Sequence, residues 1–281
     1  MSDVVSEVRE WWAEHPMTYG DVHGESAEAL GDPQFFAEVD ARFLEWNRPL
    51  HGERPFERIF PYDRHRGGRV LEVGCGMGTM ASCWAREGAQ VTAIDLNPTA
   101  VNQTRRRFEL LGLEGDVRQA DARRLPFDDG AFDYVWSWGV LHHSPDLGQS
   151  LRELLRVTRP GGGYGVMVYH RRSLLHWYMT MYVEGFLHME SRFLSDVELA
   201  SRYGDAAREE GNPHTWPVTR RELHTLLSAA GASVDIRVLG TDLDSVLRLM
   251  LPGVGELLPA GLKKPWARRF GWSLWAHGHR R

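Results

Sequence analysis

Apolar residues recur along this chain in two rhythms. Near the N-terminus Val4, Val5, Val8, Trp11 and Trp12 fall at i, i+1, i+4, i+7 and i+8, one face of a helix. Phe36, Val39, Phe43 and Trp46 mark a second amphipathic helix that stops near Pro49. From Arg69 the rhythm shifts to short apolar runs separated by single helical patterns. "RVLEV" reads as a strand, "TMASCWARE" as a helix closed by Gly88, and "QVTAID" as a second strand. In "NPTAVNQTRRRFELLG" Asn97 suits the cap, Pro98 the first helical position and Gly112 the end. "DVRQA" and "FDYVWSW" read as the third and fourth strands, "SLRELLRVTRPGGG" as a helix broken by Pro160, and "YGVMVYH" as the fifth strand. Strands alternating with single helices predict an α/β fold with a parallel, doubly wound sheet.

After the fifth strand the alternation pauses. Residues 171–216 are aromatic and His-rich, read as a helical lid, and end in "GNPHTWP". The fold resumes at Thr219, where "TRRE" is a capping box in which Thr219 caps and Glu222 returns the bond. A helix to Gly231, the strand "SVDIRVL" and a closing antiparallel strand in "FGWSLWAHG" follow. The chain thus divides into an N-terminal helical cap (1–66), a core (67–170), a lid insertion (171–216) and a C-terminal completion of the sheet (217–281).

Composition narrows the partners. In 281 residues, 42% hydrophobic and 25% charged content is ordinary for a globular protein. A net charge of −5 and a pI near 6.2 argue against a nucleic-acid partner. Cys75 and Cys83 are the only cysteines, too few for a disulfide framework or a zinc site, and no metal is expected. That cysteine usage, the acidic N-terminal segment with no long apolar run, and the lack of any stretch of ~20 apolar residues point to a cytoplasmic location.

The stretch "LEVGCGMGTMAS" carries the chemistry. It lacks the Lys-Ser/Thr pair that a P-loop needs after its last glycine, since Gly78 is followed by Thr79 and Met80. The dinucleotide fingerprint is nearer, with Gly74, Gly76 and an acid, Asp95, about 20 residues on. Yet Thr79 occupies the third glycine position and Gly78 comes one residue early. Glu72, two residues before the loop, is a poor neighbour for a pyrophosphate and a suitable one for a cation or an ammonium group.

"VLEVGCGMGTM", "VTAIDLNP", "QADARRLPFDDGAFDYVWSWGVLHHSPD" and "LLRVTRPGGG", in that order, resemble the class I S-adenosylmethionine-dependent methyltransferases, in particular the small-molecule group called type 11. The resemblance covers roughly residues 68–170. It implies a Rossmann-like seven-stranded sheet with helices on both faces, and S-adenosylmethionine as cofactor with S-adenosylhomocysteine as product. It also implies that Gly74, Cys75 and Gly76 let the backbone approach the methionyl part, with Glu72 beside them. Asp95 would accept from both ribose hydroxyls, Leu96 would pack on the adenine, and Asp121 and the Ala122 N–H would bind the adenine edge. Trp138 would line the site near the sulfonium, and Tyr19 would come down over the cofactor from the N-terminal cap.

"LHHSPD" places His142 and His143 just past the fourth strand, at the sheet edge where open α/β folds bind ligands. Two roles stay open for them: a general base that deprotonates the nucleophile, or pocket wall and loop hydrogen bonding. His170, Arg172, His176, Tyr178 and Tyr182 are the candidates for an acceptor pocket. The expected reaction is in-line methyl transfer to an O, N or C nucleophile of a small, partly apolar molecule, as in secondary metabolism. The alternatives are a lipid or quinone methyltransferase at a membrane surface, a protein that binds the cofactor without methylating, and an NAD-dependent dehydrogenase. Six Lys/Arg among Trp266, Phe270, Trp272 and Trp275 make a membrane contact of the C-terminus conceivable, but a closing strand is favoured. Monomer and homo-oligomer both stay open.

Overall fold

A computed structural model describes residues 2–15, 17, 31–204, 211–240, 243–251, 253 and 259–281. Its strands are β1 (Arg69–Val73), β2 (Gln90–Asp95), β3 (Asp116–Gln119), β4 (Phe132–Trp138), β5 (Thr158–Tyr169), β6 (Asp235–Leu239) and β7 (Ser273–His279). They form one mixed sheet in the order β3-β2-β1-β4-β5-β7-β6. The chain gathers into two compact units, each discontinuous in sequence. One comprises Arg9–Ser137, Arg152–Tyr164 and His279–Arg281; the other comprises Trp138–Leu151, Gly165–Gly278 and the N-terminal segment up to Val8.

In the first unit β1 pairs in parallel with β2 and with β4, and β2 pairs in parallel with β3. Four of the five β1 residues are buried, which explains why this strand reads as a continuous apolar run rather than an alternating one. Helix α1 spans Ser2–Glu14, α2 Pro33–Trp46, α3 Thr79–Arg86 and α4 Pro98–Leu111. Asn97 caps α4 as the sequence predicts, its side-chain oxygen accepting from Thr99 N at 2.7 Å. Its Nδ2 donates to the Trp12 carbonyl, so one residue also satisfies an orphan acceptor at the end of α1. Phe35, Phe36 and Val39 of α2 form a cluster with Met77 and Ala100. Trp46, placed on that face by its spacing, is instead 53% exposed.

Asp40, also on α2, accepts from Thr79 Oγ1 at 2.7 Å and from Arg107 Nη1 at 2.8 Å. Arg107 is buried, lies over the Phe36 ring at 4.5 Å, and leaves its Nε and Nη2 without acceptors. A single carboxylate therefore ties α2 to α3 and α4.

Helix α5 (Leu147–Val157) ends three residues before Pro160, and Pro160–Gly163 lie inside β5. The cause is a distant partner. Gly161 N donates to Arg280 O, Arg280 N donates to Gly162 O, and the Arg280 guanidinium donates to the Arg156 and Thr158 carbonyls. A Cβ at Gly162 would sit 2.8 Å from Arg159 O, so only glycine fits that pairing.

In the second unit β6 and β7 pair antiparallel, with Ile236 opposite Ala276, giving the closing strand expected from "FGWSLWAHG". Residues His176–Leu187 form a π-helix, followed by α6 (Asp196–Tyr203) and α7 (Arg220–Ala229). Both α-helices start at a complete capping box, Ser195 with Glu198 and Thr219 with Glu222. Helices α8 (Leu243–Met250) and α9 (Ala260–Phe270) lie between β6 and β7 in the chain.

Candidate functional site

The loop after β1 is built from left-handed glycines, with φ of 85° at Gly74, 51° at Gly76 and 75° at Gly78. Gly74 N and Cys75 N both donate to the Ile94 carbonyl, which pins the loop to the tip of β2. The glycines differ in what they serve. A Cβ at Gly78 would meet Thr104 at 2.9 Å, so this glycine permits close packing on α4. A Cβ at Gly76 would meet nothing within 4 Å, so the space beside it is open to a group from outside the chain.

Asp95 closes the loop. Its Oδ2 accepts from Gly76 N at 3.0 Å and its Oδ1 from Asn97 N at 2.9 Å. These donors, with the Leu96 backbone as a third, fix the carboxylate in place while its oxygens keep acceptor capacity for a ligand. Burial pushes its pKa up, against the pull of those backbone donors. Glu72 is 4% exposed and its Oε2 has no hydrogen-bond partner. Burial, and then the Asp95 charge, push its carboxyl well above the ordinary range. Two neighbouring carboxyls, one with an orphaned oxygen, fit a cationic ligand bearing paired hydroxyls, as S-adenosylmethionine is.

This has a pH consequence. The folded Glu72 carboxyl holds its proton more tightly than the unfolded one. The ligand-free protein therefore loses stability as pH rises above the ordinary Glu value of 4.5, until the raised value is passed. Glu72→Gln removes the ionisable group. Thermal unfolding of the ligand-free variant is expected at a higher temperature than wild type at pH 8, with the gap closing toward pH 4.5. An unchanged gap across that range contradicts a buried carboxyl whose proton is held above the ordinary range.

Other cofactor candidates are less open. Arg123 engages both oxygens of Asp121, with Nη2 at 2.7 Å from Oδ2 and its backbone N 2.8 Å from Oδ1. Burial raises the Asp121 pKa, but Arg123 outweighs it and holds the carboxyl below its usual value. The neighbouring Ala122 is half-buried, as is Leu96, whose carbonyl accepts from Gln119 Nε2. The Cys75 thiol is buried and, chiefly for that reason, stays protonated well above its normal range, which suits a wall rather than a nucleophile. Tyr19 lies outside the described residues.

The second unit carries Trp138 and the histidines. Trp138 is half-buried, its ring 5.7 Å from that of Trp275. His142 is fully buried, its ring 3.8 Å from Tyr169, and neither nitrogen has a hydrogen-bond partner. Burial, then His143 and His214, lower its pKa well below the usual value, so it is a neutral imidazole and a weak base. His143 differs. Its Nδ1 lies 3.0 Å from the His214 carbonyl and 3.1 Å from Thr215 Oγ1. A carbonyl only accepts, and Thr215 gives its own proton to Asn212 Oδ1 at 2.8 Å. Neutral His143 therefore carries its proton on Nδ1. Asn212 and Thr215 could not be singled out in sequence, because their role depends on "GNPHTWP" folding back onto "LHH".

A cavity of about 560 Å³ lies in the same unit, walled by Trp177, Met181, Trp216, Trp266 and Phe270. Arg172 and His176 line it as well, whereas His170, Tyr178 and Tyr182 do not. His170 is instead tied through Nδ1 to the Gly271 carbonyl at 3.1 Å. Tyr178 and Tyr182 belong to an aromatic ladder along the π-helix, in which Tyr182 stacks on Trp177 and Phe186. Among the described residues no His, Cys, Asp and Glu cluster is placed to hold a metal ion, and no helix is long and apolar enough to cross a membrane.

The family model described as "Methyltransferase domain" matches residues 71–165, from β1 into β5. Methyltransferase GfsG of Streptomyces halstedii is 31% identical over 223 residues, covering 78% of this chain and 75% of that protein. The chain belongs to the class I S-adenosylmethionine-dependent methyltransferases. The ubiquinone biosynthesis O-methyltransferase of Xanthomonas oryzae pv. oryzae is 41% identical over 123 residues. That match covers 41% of this methyltransferase and 49% of the relative, so the chain spans about half of the relative's length. Phosphoethanolamine N-methyltransferase 2 of Haemonchus contortus, solved with S-adenosylmethionine, shares the fold at a TM-score of 0.54 and 16% identity, over 90% of this chain and 60% of that one.

Proposed function

We propose that this methyltransferase acts on an O, N or C nucleophile of a small, partly apolar molecule of secondary metabolism. The observation that carries this is the cavity of about 560 Å³, whose apolar walls include three tryptophans and a phenylalanine beside several polar groups, the usual make-up of a small-molecule site. The cofactor, when bound, supplies a methyl group activated on a sulfonium for in-line displacement. Asp95 would accept from the ribose hydroxyls, and Glu72 would stand beside the positively charged end. Asp121 would meet the adenine amino group on the acceptor capacity that Arg123 leaves. The name of the Xanthomonas relative, a quinone-pathway enzyme, supports an apolar acceptor.

Of the two histidines, His143 is the general base, because His214 and Thr215 orient its ring through Nδ1, whereas His142 is buried with its pKa pushed well down. His142 forms wall. His143→Ala is expected to lower kcat by about 10²-fold or more on an acceptor that must lose a proton, with cofactor affinity little changed. Thr215→Val is expected to lower kcat less. Equal activity of wild type and His143→Ala on such an acceptor removes the base role.

A membrane-surface variant of this function has one feature in its favour, the exposed Phe186 and Phe193, 69% and 84% accessible. Co-sedimentation with anionic lipid vesicles that is lost in a Phe186→Ser, Phe193→Ser double variant supports it; absence of co-sedimentation excludes it.

A further inference from the structure

The cavity in the second unit holds polar groups whose hydrogen bonds are not used up. His176 is 5% exposed and lines the cavity, yet its Nδ1 has no partner. Arg171, on the same wall, donates through Nη1 to Glu222 at 2.9 Å and through Nε to the Pro217 carbonyl at 2.9 Å. Its Nη2 is buried and donates to nothing. Arg172, beside it in sequence, lines the cavity, is exposed, and makes no ion pair among the described residues. A buried guanidinium N–H left without an acceptor is destabilising, so a fold keeps one most readily where an acceptor from outside the chain fills the position.

The remaining walls set the rest of the ligand. Trp177, Trp216, Trp266, Phe270 and Met181 present aromatic and thioether surface, with Asp196 as the single acidic side chain in the lining. Trp216 is already stacked under Arg171, whose guanidinium carbon lies 4.7 Å from the ring centroid, so the cation is held in place on its aromatic neighbour. His176 is held neutral, its pKa lowered to about 4 by burial first and by Arg171 second, so it adds a neutral hydrogen bond while the arginines supply the charge.

We propose that this cavity binds an apolar molecule carrying a carboxylate, with the carboxylate on Arg171 Nη2 and Arg172, a hydrogen bond from His176, and the apolar body against the tryptophans. Calling that molecule the methyl acceptor rests on the proposed function; the binding does not. The test is calorimetry on the whole protein without cofactor, using dodecanoate, dodecan-1-ol and dodecyltrimethylammonium as probes below their micelle concentrations. Dodecanoate is expected to bind saturably and about 10-fold more tightly than the alcohol, the gain from one charge-assisted contact, with the cation weakest. Arg172→Ala, at an exposed position that does not threaten folding, is expected to bring dodecanoate close to the alcohol. Met181→Trp, which fills the cavity, is expected to weaken both. Dodecanoate binding no tighter than the cationic probe, or unchanged by Arg172→Ala, overturns the proposal. S-adenosylhomocysteine titrated into the same samples separates the two levels. Its loss from wild type would sink the cofactor assignment and leave the carboxylate site standing.

Discussion

Asp95→Ala is expected to weaken S-adenosylhomocysteine binding by about 10²-fold or more, since two hydrogen bonds to a charged acceptor are worth about 1.5–3 kcal/mol each. The structure makes the loss double. Asp95 Oδ2 holds Gly76 N at 3.0 Å and Oδ1 holds Asn97 N at 2.9 Å, so the substitution frees the glycine loop as well as removing the acceptors. Asp95→Asn keeps one acceptor oxygen and is expected to fall between wild type and alanine. Calorimetric titration gives both numbers, and circular dichroism checks that the variants fold. An Asp95→Ala dissociation constant equal to wild type places the cofactor elsewhere.

Asp40→Ala carries the largest expected stability cost, about 3–5 kcal/mol, because it strands a buried guanidinium. Arg107 is 1% exposed and its only acceptors among the described residues are the two Asp40 oxygens, each 2.8 Å from Nη1. Thr79 loses its acceptor in the same step. Asp40→Asn is expected to cost less, since an amide oxygen still accepts. Urea unfolding of the three proteins orders them; a midpoint for Asp40→Ala within error of wild type contradicts the account of how α2 is fastened.

Much of the first unit was legible because its signals are local. The apolar runs at Arg69–Val73 and Phe132–Trp138 give strands with those bounds, and Asn97 caps where a side chain two residues from its donor must. The glycine loop was legible for a related reason: three left-handed residues in a row of five need glycine, and the sequence shows them directly. Pro160 misled because its effect on a helix is local, while the pairing that puts it in β5 is made with Arg280 near the other end of the chain. The difference between His142 and His143 was hidden for the same reason. Adjacent in sequence, they part only when Thr215 and the His214 carbonyl reach one of them. The Arg123 pairing with Asp121 lies within three residues, yet the sequence cannot say which rotamer the arginine takes.

The most direct test of methyl transfer to a small apolar acceptor is turnover. Purified protein is incubated with S-adenosylmethionine and a panel of phenols, hydroquinones, amines and aliphatic carboxylic acids, and S-adenosylhomocysteine and product mass are read together. The account predicts S-adenosylhomocysteine formed in step with an acceptor one methylene unit heavier, and neither with Asp95→Ala. Tight binding of the cofactor with no S-adenosylhomocysteine formed on any acceptor would contradict it and favour a protein that holds the cofactor without transferring its methyl group.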